Sequence, residues 1–212
     1  MRHQYRRVAI RTVAVNRWLK LSEVEYAPSD APPCYTPHKW ELVQRTTRPE
    51  GSVVDAVDVC VVVNKGDDGR FLLLISQYRA PIDAITIEFP AGLVDRGEGP
   101  VETAIRELKE ETGYVADPRD VLGVSPLLAY DPGLSDGTFN FVRLEVNAAR
   151  TENVTPQQEL KDDEDVAVHV LPLDGKIILS LESLRVQLGA DTVVDGKVYT
   201  FCCGLSMGLP NS

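Results

Sequence analysis

No apolar run in this 212-residue chain approaches the ~20 residues a membrane-crossing helix needs, and the N-terminus lacks the apolar stretch of a secretory signal. Cysteine is scarce. Cys34, Cys60, Cys202 and Cys203 have neither metal-ligand nor disulfide-framework spacing, which points to free thiols and a cytoplasmic protein. Acidic residues are missing from the first 22 positions, which carry six Lys/Arg, so the remainder sets 16 Lys/Arg against 32 Asp/Glu. A chain so acidic beyond its start is a poor partner for nucleic acid. The basic start has the charge of a mitochondrial presequence. However, no Ser precedes position 22, and Val8-Ala9-Ile10 and Val13-Ala14-Val15 suit strands.

What is present fits a soluble globular protein: 43% apolar and 25% charged residues, in a chain long enough to bury a core. The first 48 residues read as β-rich, with runs at Arg7 to Val15, Trp18 to Tyr26 and Lys39 to Arg48 separated by a polar turn and a Pro-rich loop. Three such strands cannot stand alone, so they must lean on the remaining chain or on a second copy. From Val53 the apolar runs lengthen: Ala56 to Val63, Phe71 to Tyr78 and Thr86 to Phe89 read as buried strands. Further strands are predicted at Val121 to Leu128, Asn140 to Val146 and Val166 to Leu171, and closing helices at Leu173 to Leu188 and Lys197 to Gly208. Strands mixed with helices indicate an α/β layered fold, without internal repeats.

The informative segment is Gly92 to Tyr114, GLVDRGEGPVETAIRELKEETGY. Pro100 suits a first helical position, Glu102 the first turn, and Gly113 a helix end. Val101, Ala104, Ile105 and Leu108 then form one apolar stripe. At 100° per residue Glu107 and Glu111 lie about 40° apart on one flank, with Glu110 further toward solvent. Like charges at this spacing destabilise a helix by ~0.2–0.5 kcal/mol per pair, so the arrangement asks for a cation. Carboxylates without His or Cys favour Mg2+, with Mn2+ as a substitute, and hence a phosphate ester or anhydride as substrate. Arg106 falls on the other flank, where its guanidinium fork suits the preceding acidic loop through Glu98.

Gly92, Glu98, Arg106, Glu107, Leu108, Glu110, Glu111, Gly113 and Tyr114 match the Nudix box, Gly-x5-Glu-x7-Arg-Glu-U-x-Glu-Glu-x-Gly-U with U apolar. Only Tyr114 departs, being aromatic where Ile, Leu or Val is usual. WELVQRTTR (40–48), QYRAP (77–81), EFPAG (88–92) and DPGLS (131–135) further resemble eukaryotic ADP-ribose or ADP-sugar pyrophosphatases. The resemblance implies a Nudix αβα sandwich with a mixed sheet (residues 51–212), plus a small N-terminal antiparallel β-domain (residues 1–50) exchanged across a homodimer. It implies Mg2+-dependent hydrolysis of ADP-ribose to AMP and ribose 5-phosphate. Glu107 and Glu111 look like the principal metal ligands, with Glu110 assisting and the Ala91 carbonyl completing the site. Trp18 and Trp40 resemble the adenine-stacking walls, Arg45 and Arg79 the contacts to adenine, ribose or diphosphate, and Leu93 and Asp131 the pocket lining. A general base is expected in the loop Lys161-Asp162-Asp163-Glu164-Asp165, with Glu164 best placed by its distance to the following strand. The rival readings are an enzyme for another nucleoside diphosphate derivative, such as an oxidised purine nucleotide, and a non-catalytic ADP-ribose-binding module.

Overall fold

The computed structural model describes residues 4–161 and 164–208, so of the acidic loop only Lys161, Glu164 and Asp165 are covered, and Asp162 and Asp163 lie outside the described residues. The chain forms two compact units: residues up to Asp55 with Leu127–Phe139, and Ala56–Pro126 with the chain from Asn140 onward.

In the first unit β1 (Tyr5–Val15), β2 (Leu19–Pro28) and β3 (His38–Arg45) form an antiparallel sheet in that order. Asn16 N–H donates to the Leu19 carbonyl at 2.8 Å and closes the first hairpin. β1 is exposed along its whole length, Val8, Ile10, Val13 and Val15 included, while β2 buries only Ser22 and Ala27. One sheet face carries an aromatic row: Tyr5 to Tyr26 at 5.8 Å and Tyr26 to Trp40 at 6.4 Å between ring centroids. The unit is closed by Arg48, whose Nε and Nη2 donate to the two oxygens of buried Asp55 at 2.8 and 2.6 Å. Arg48 Nη2 also reaches the Asp136 carbonyl at 2.6 Å, and the Thr138 amide donates to Asp55 at 2.8 Å.

The second unit is built on a mixed sheet. Its strands are β4 (Ala56–Asn64), β5 (Arg70–Arg79), β6 (Ala84–Glu88), β7 (Ala91–Leu93), β8 (Val121–Val124), β10 (Thr138–Asn147), β11 (Val166–Pro172) and β12 (Val193–Val194). The order is β12-β6-β5-β4-β10-β8, with β11 on β5 and β7 on β4; β12 runs parallel to β6. Alternation along β4 and β5 sends side chains to opposite faces. Cys60, Leu72 and Leu74 pack with Ile87, Phe89 and Leu171 against α2 (Ile177–Leu188) and α3 (Gly196–Gly208). Val57, Val59, Val61, Leu73 and Ile75, all fully buried, face the other way, and α1 (Pro100–Thr112) packs on β4, β7 and β11. Helices on both faces make this the expected αβα sandwich.

Several element ends shift by one to three residues from the sequence reading, and two larger differences have a local cause. Val121 to Leu128 is not one strand: it breaks at Ser125-Pro126, where proline has no amide to donate. The remaining piece, β9 (Leu128–Ala129), pairs with Thr138 and Phe139 in the first unit. α2 starts at Ile177 rather than Leu173, because the Leu173 amide is still paired with the Arg70 carbonyl and Asp174 turns the chain through the Lys176 amide. The short strands β7 and β12 had no signal of their own. Burial pushes the Cys60 and Cys202 thiols up to about 12 and about 11, so both are inert core groups. No helix among the described residues is long and apolar enough to cross a membrane.

Candidate active site

The site is organised by α1. Gly99 precedes it, Pro100 occupies its first position, and Glu102 reaches back to the Gly99 amide at 3.2 Å. Gly113 ends the helix at φ +76°, a conformation that favours glycine, with its amide bonded to the Lys109 carbonyl. Glu107 and Glu111 both point inward and are only 6% and 7% exposed. They are therefore part of the buried face rather than its rim.

What makes room for them is β7. A Cβ on Gly92 would lie 1.8 Å from Glu107 Oε1, so only glycine fits beside that carboxylate. The Ala91 amide donates to Glu111 Oε2 at 2.9 Å. Burial, reinforced by the Glu107 and Glu164 charges, nevertheless pushes the Glu111 carboxyl up to about 8 against the pull of that amide. Burial also raises Glu107, although Arg106 opposes it.

Arg106 spans the outer flank. Its Nε and Nη2 donate to the two oxygens of Glu98 at 2.9 and 3.0 Å, Nη2 also to the Leu93 carbonyl at 3.0 Å, and Nη1 to Glu107 Oε1 at 2.7 Å. Arg106 holds the Glu98 carboxyl down to about 2, outweighing its partial burial. Glu110 is more open. Its Oε2 receives Arg106 Nη1 at 3.4 Å and Lys161 Nζ at 3.2 Å. Glu164 accepts the Lys161 amide at 3.0 Å. Among the described residues no three His, Cys, Asp or Glu side chains converge closely enough to enclose an ion; Glu107 and Glu110 are turned toward Arg106 and Lys161 instead. The donor chemistry still fits a hard divalent cation. Glu107, Glu110 and Glu111 are all oxygen donors, two are buried at a cost that a cation offsets, and Gly92 leaves them the space.

Of the remaining candidates, Arg79 and Leu93 belong to this unit, while Trp18, Trp40, Arg45 and Asp131 belong to the first. Arg79 forms a two-pronged pair with Glu88 at 2.7 and 2.5 Å, and Thr86 donates to the same carboxylate. In the first unit Trp40 Nε1 donates to the Gly133 carbonyl at 3.0 Å and borders a cavity of about 440 Å³ with Tyr26, Leu42 and Leu134. Asp131 shapes that loop through the Gly133 and Ser135 amides. Trp18 is exposed at the hairpin tip under the Arg17 guanidinium, 4.3 Å from its ring centre, and Arg45 is exposed at the end of β3. Sequence reasoning missed Glu88 and Lys161. Glu88 opens the quoted EFPAG segment, so a signal existed; Lys161 is known only through its contact with a helix 51 residues away.

A family model described as the NUDIX domain matches residues 54–182, which hold the whole of this carboxylate site. The chain belongs to the Nudix family. Among curated relatives, it is 34% identical over 200 residues to the ADP-sugar pyrophosphatase of Mus musculus, covering 94% of this chain and 86% of that protein. It is 32% identical over 187 residues to the ADP-ribose pyrophosphatase of Saccharomyces cerevisiae, covering 85% and 77%. A solved ADP compounds hydrolase matches with a TM-score of 0.60 over 97% of this chain and 94% of that one. At 20% identity that likeness bears on the fold alone.

Proposed function

We propose that this Nudix protein hydrolyses the diphosphate of ADP-ribose and related ADP-sugars, yielding AMP and, from ADP-ribose, ribose 5-phosphate, with Mg2+ as cofactor. The observation that carries the reading is the pair of buried carboxylates, Glu107 and Glu111, seated against Gly92 and Ala91. The names of the relatives support the ADP-sugar class.

In this reading Glu107, Glu111, Glu110 and the Ala91 carbonyl hold the metal, which when bound neutralises phosphoryl charge and lowers the pKa of a water. Arg106 fixes Glu107 and the acidic loop through Glu98. Arg79, oriented by Glu88, and Arg45 receive the anionic diphosphate, as a protein of net charge −10 must supply local positive charge to do. Trp18 and Trp40 offer stacking faces to adenine, and Asp131 in the first unit and Leu93 in the second are each assigned to substrate contact. Glu164 takes the proton of the attacking water as a phosphorus–oxygen bond of the anhydride breaks.

We assign dimerisation to the N-terminal β-domain, residues 1–50, and hydrolysis to residues 51–212. The exposed apolar side chains of β1 support a second copy as the covering partner. Free thiols suit a cytoplasmic setting.

The test is incubation with ADP-ribose, ADP-glucose and an oxidised purine diphosphate, each with and without Mg2+. AMP from the ADP-sugars, only with the metal, is the expected result. Preferential cleavage of the oxidised nucleotide replaces the substrate class, and tight ADP-ribose binding without any product replaces the enzyme by a binding module.

A further inference from the structure

The carboxylate cluster is met by two cations that are held very differently. Arg106 is locked in place by both oxygens of Glu98 and by the Leu93 carbonyl. Lys161 is held by ion pairs alone among its recorded side-chain contacts in the described residues: Nζ lies 3.2 Å from Glu110 Oε2 and 3.8 Å from Glu164 Oε1, and its side chain is 59% exposed. The chain just before it, by contrast, is strapped to α1. Gln158 Nε2 donates to the carbonyls of Glu111 at 2.6 Å and Val166 at 2.9 Å, and the Glu159 amide donates to the Glu110 carbonyl at 2.8 Å. Lys109 pairs with Glu159 at 2.9 Å. The strap thus delivers one flexible ammonium to the carboxylates α1 presents, and the same residue's amide holds Glu164.

We propose that Lys161 is a built-in counter-cation of the metal site. In the metal-free protein its ammonium engages Glu110, and a divalent ion must displace it to use that carboxylate. The inference rests on the metal-dependent reading above and concerns only how readily the site loads. Lys161 is a positioning residue: it sets the availability of Glu110 and Glu164 rather than touching substrate.

The experiment is calorimetric titration of Mn2+ into chelator-treated full-length protein, as wild type, Lys161→Gln and Lys161→Arg. Removing a unit charge several ångströms from a divalent ion should tighten Mn2+ binding by Lys161→Gln roughly three- to tenfold. Lys161→Arg should stay within about twofold of wild type. Without metal, Lys161→Gln should melt below wild type, and saturating Mn2+ should narrow the gap, which a merely structural lysine would not do. Equal or weaker Mn2+ binding by Lys161→Gln overturns the inference, as does a raised KM for ADP-ribose with unchanged Mn2+ affinity. Failure of the wild type to take up Mn2+ removes the metal-site reading as well; normal wild-type uptake with an unimproved variant removes only the role of Lys161.

Discussion

Arg106 and Glu98 are joined by two near-parallel hydrogen bonds, Nε to Oε1 at 2.9 Å and Nη2 to Oε2 at 3.0 Å, with each side chain 23% exposed. The fork fixes the loop that leads into α1, and it leaves Nη1 aimed at Glu107. A lysine has one point charge and no such geometry, so Arg106→Lys would keep the charge but not the alignment.

The pair makes stability pH-dependent in a defined window. Glu98 titrates at about 2 in the folded protein, chiefly because of Arg106, against an ordinary value of 4.5. Its pKa is depressed, so the stabilisation is full above pH 4.5 and is lost as the pH falls toward 2, where the folded form also binds the proton. Unscreened, the shift would correspond to about 3 kcal/mol; solvent reaching the pair reduces this to roughly 1–2 kcal/mol. Urea unfolding of wild type and Glu98→Gln should differ by roughly 1–2 kcal/mol at pH 7, and the gap should close between pH 4.5 and 2. A gap that is constant across that range would show that the carboxylate charge contributes nothing.

Gly92 is set by the Glu107 carboxylate, which occupies the space a Cβ would need. Gly92→Ala should force that side chain away at a stability cost of about 1–3 kcal/mol, and a displacement of the order of an ångström should reduce turnover about a hundredfold. Thermal melting beside steady-state kinetics checks both. A variant that melts lower but turns over normally would mean that Glu107 can shift without consequence.

The sequence carried α1 and its ends because Pro100, Gly113 and the Val101, Ala104, Ile105, Leu108 stripe are local signals. It under-read the burial of Glu107 and Glu111, since hydrophobic periodicity assigns carboxylates to solvent and cannot register that Ala91 and Gly92 cover them. β7 and β12 were illegible for a related reason: two or three residues become a strand only because β4 or β6 lies alongside. The Gln158 strap and the Lys161 contact join segments some 50 residues apart, a distance over which neither propensity nor charge pattern speaks.

Another long-range contact links β4 to α3. Asp58, 1% exposed, faces Lys197 Nζ at 3.2 Å, and Lys197 also meets Asp195 at 3.2 Å. Removing one partner strands the other charge, whereas removing both does not. Lys197→Met, which strands the buried Asp58, should therefore destabilise by about 2–4 kcal/mol, Asp58→Ala should cost less because the one-third exposed Lys197 keeps Asp195, and the Asp58→Ala/Lys197→Met double variant should recover part of the Lys197→Met loss. A double-mutant cycle from chemical denaturation measures it, and strict additivity would argue against coupling.

Glu111 and Glu164 separate metal binding from proton transfer. Glu111 is buried against the Ala91 amide, so Glu111→Gln keeps the shape and the acceptor oxygen but removes the charge, and turnover should be largely abolished in a protein with a normal melt. Glu164 is held by the Lys161 amide outside α1. If it takes the proton from water, Glu164→Gln should reduce kcat by at least about tenfold with KM for ADP-ribose little changed. The two variants should also differ in Mn2+ calorimetry, where Glu111→Gln loses most of its affinity and Glu164→Gln retains more. Full turnover by Glu164→Gln would pass the proton-accepting role to another group. An active Glu111→Gln variant would leave the buried carboxylate pair without the metal that explains its burial.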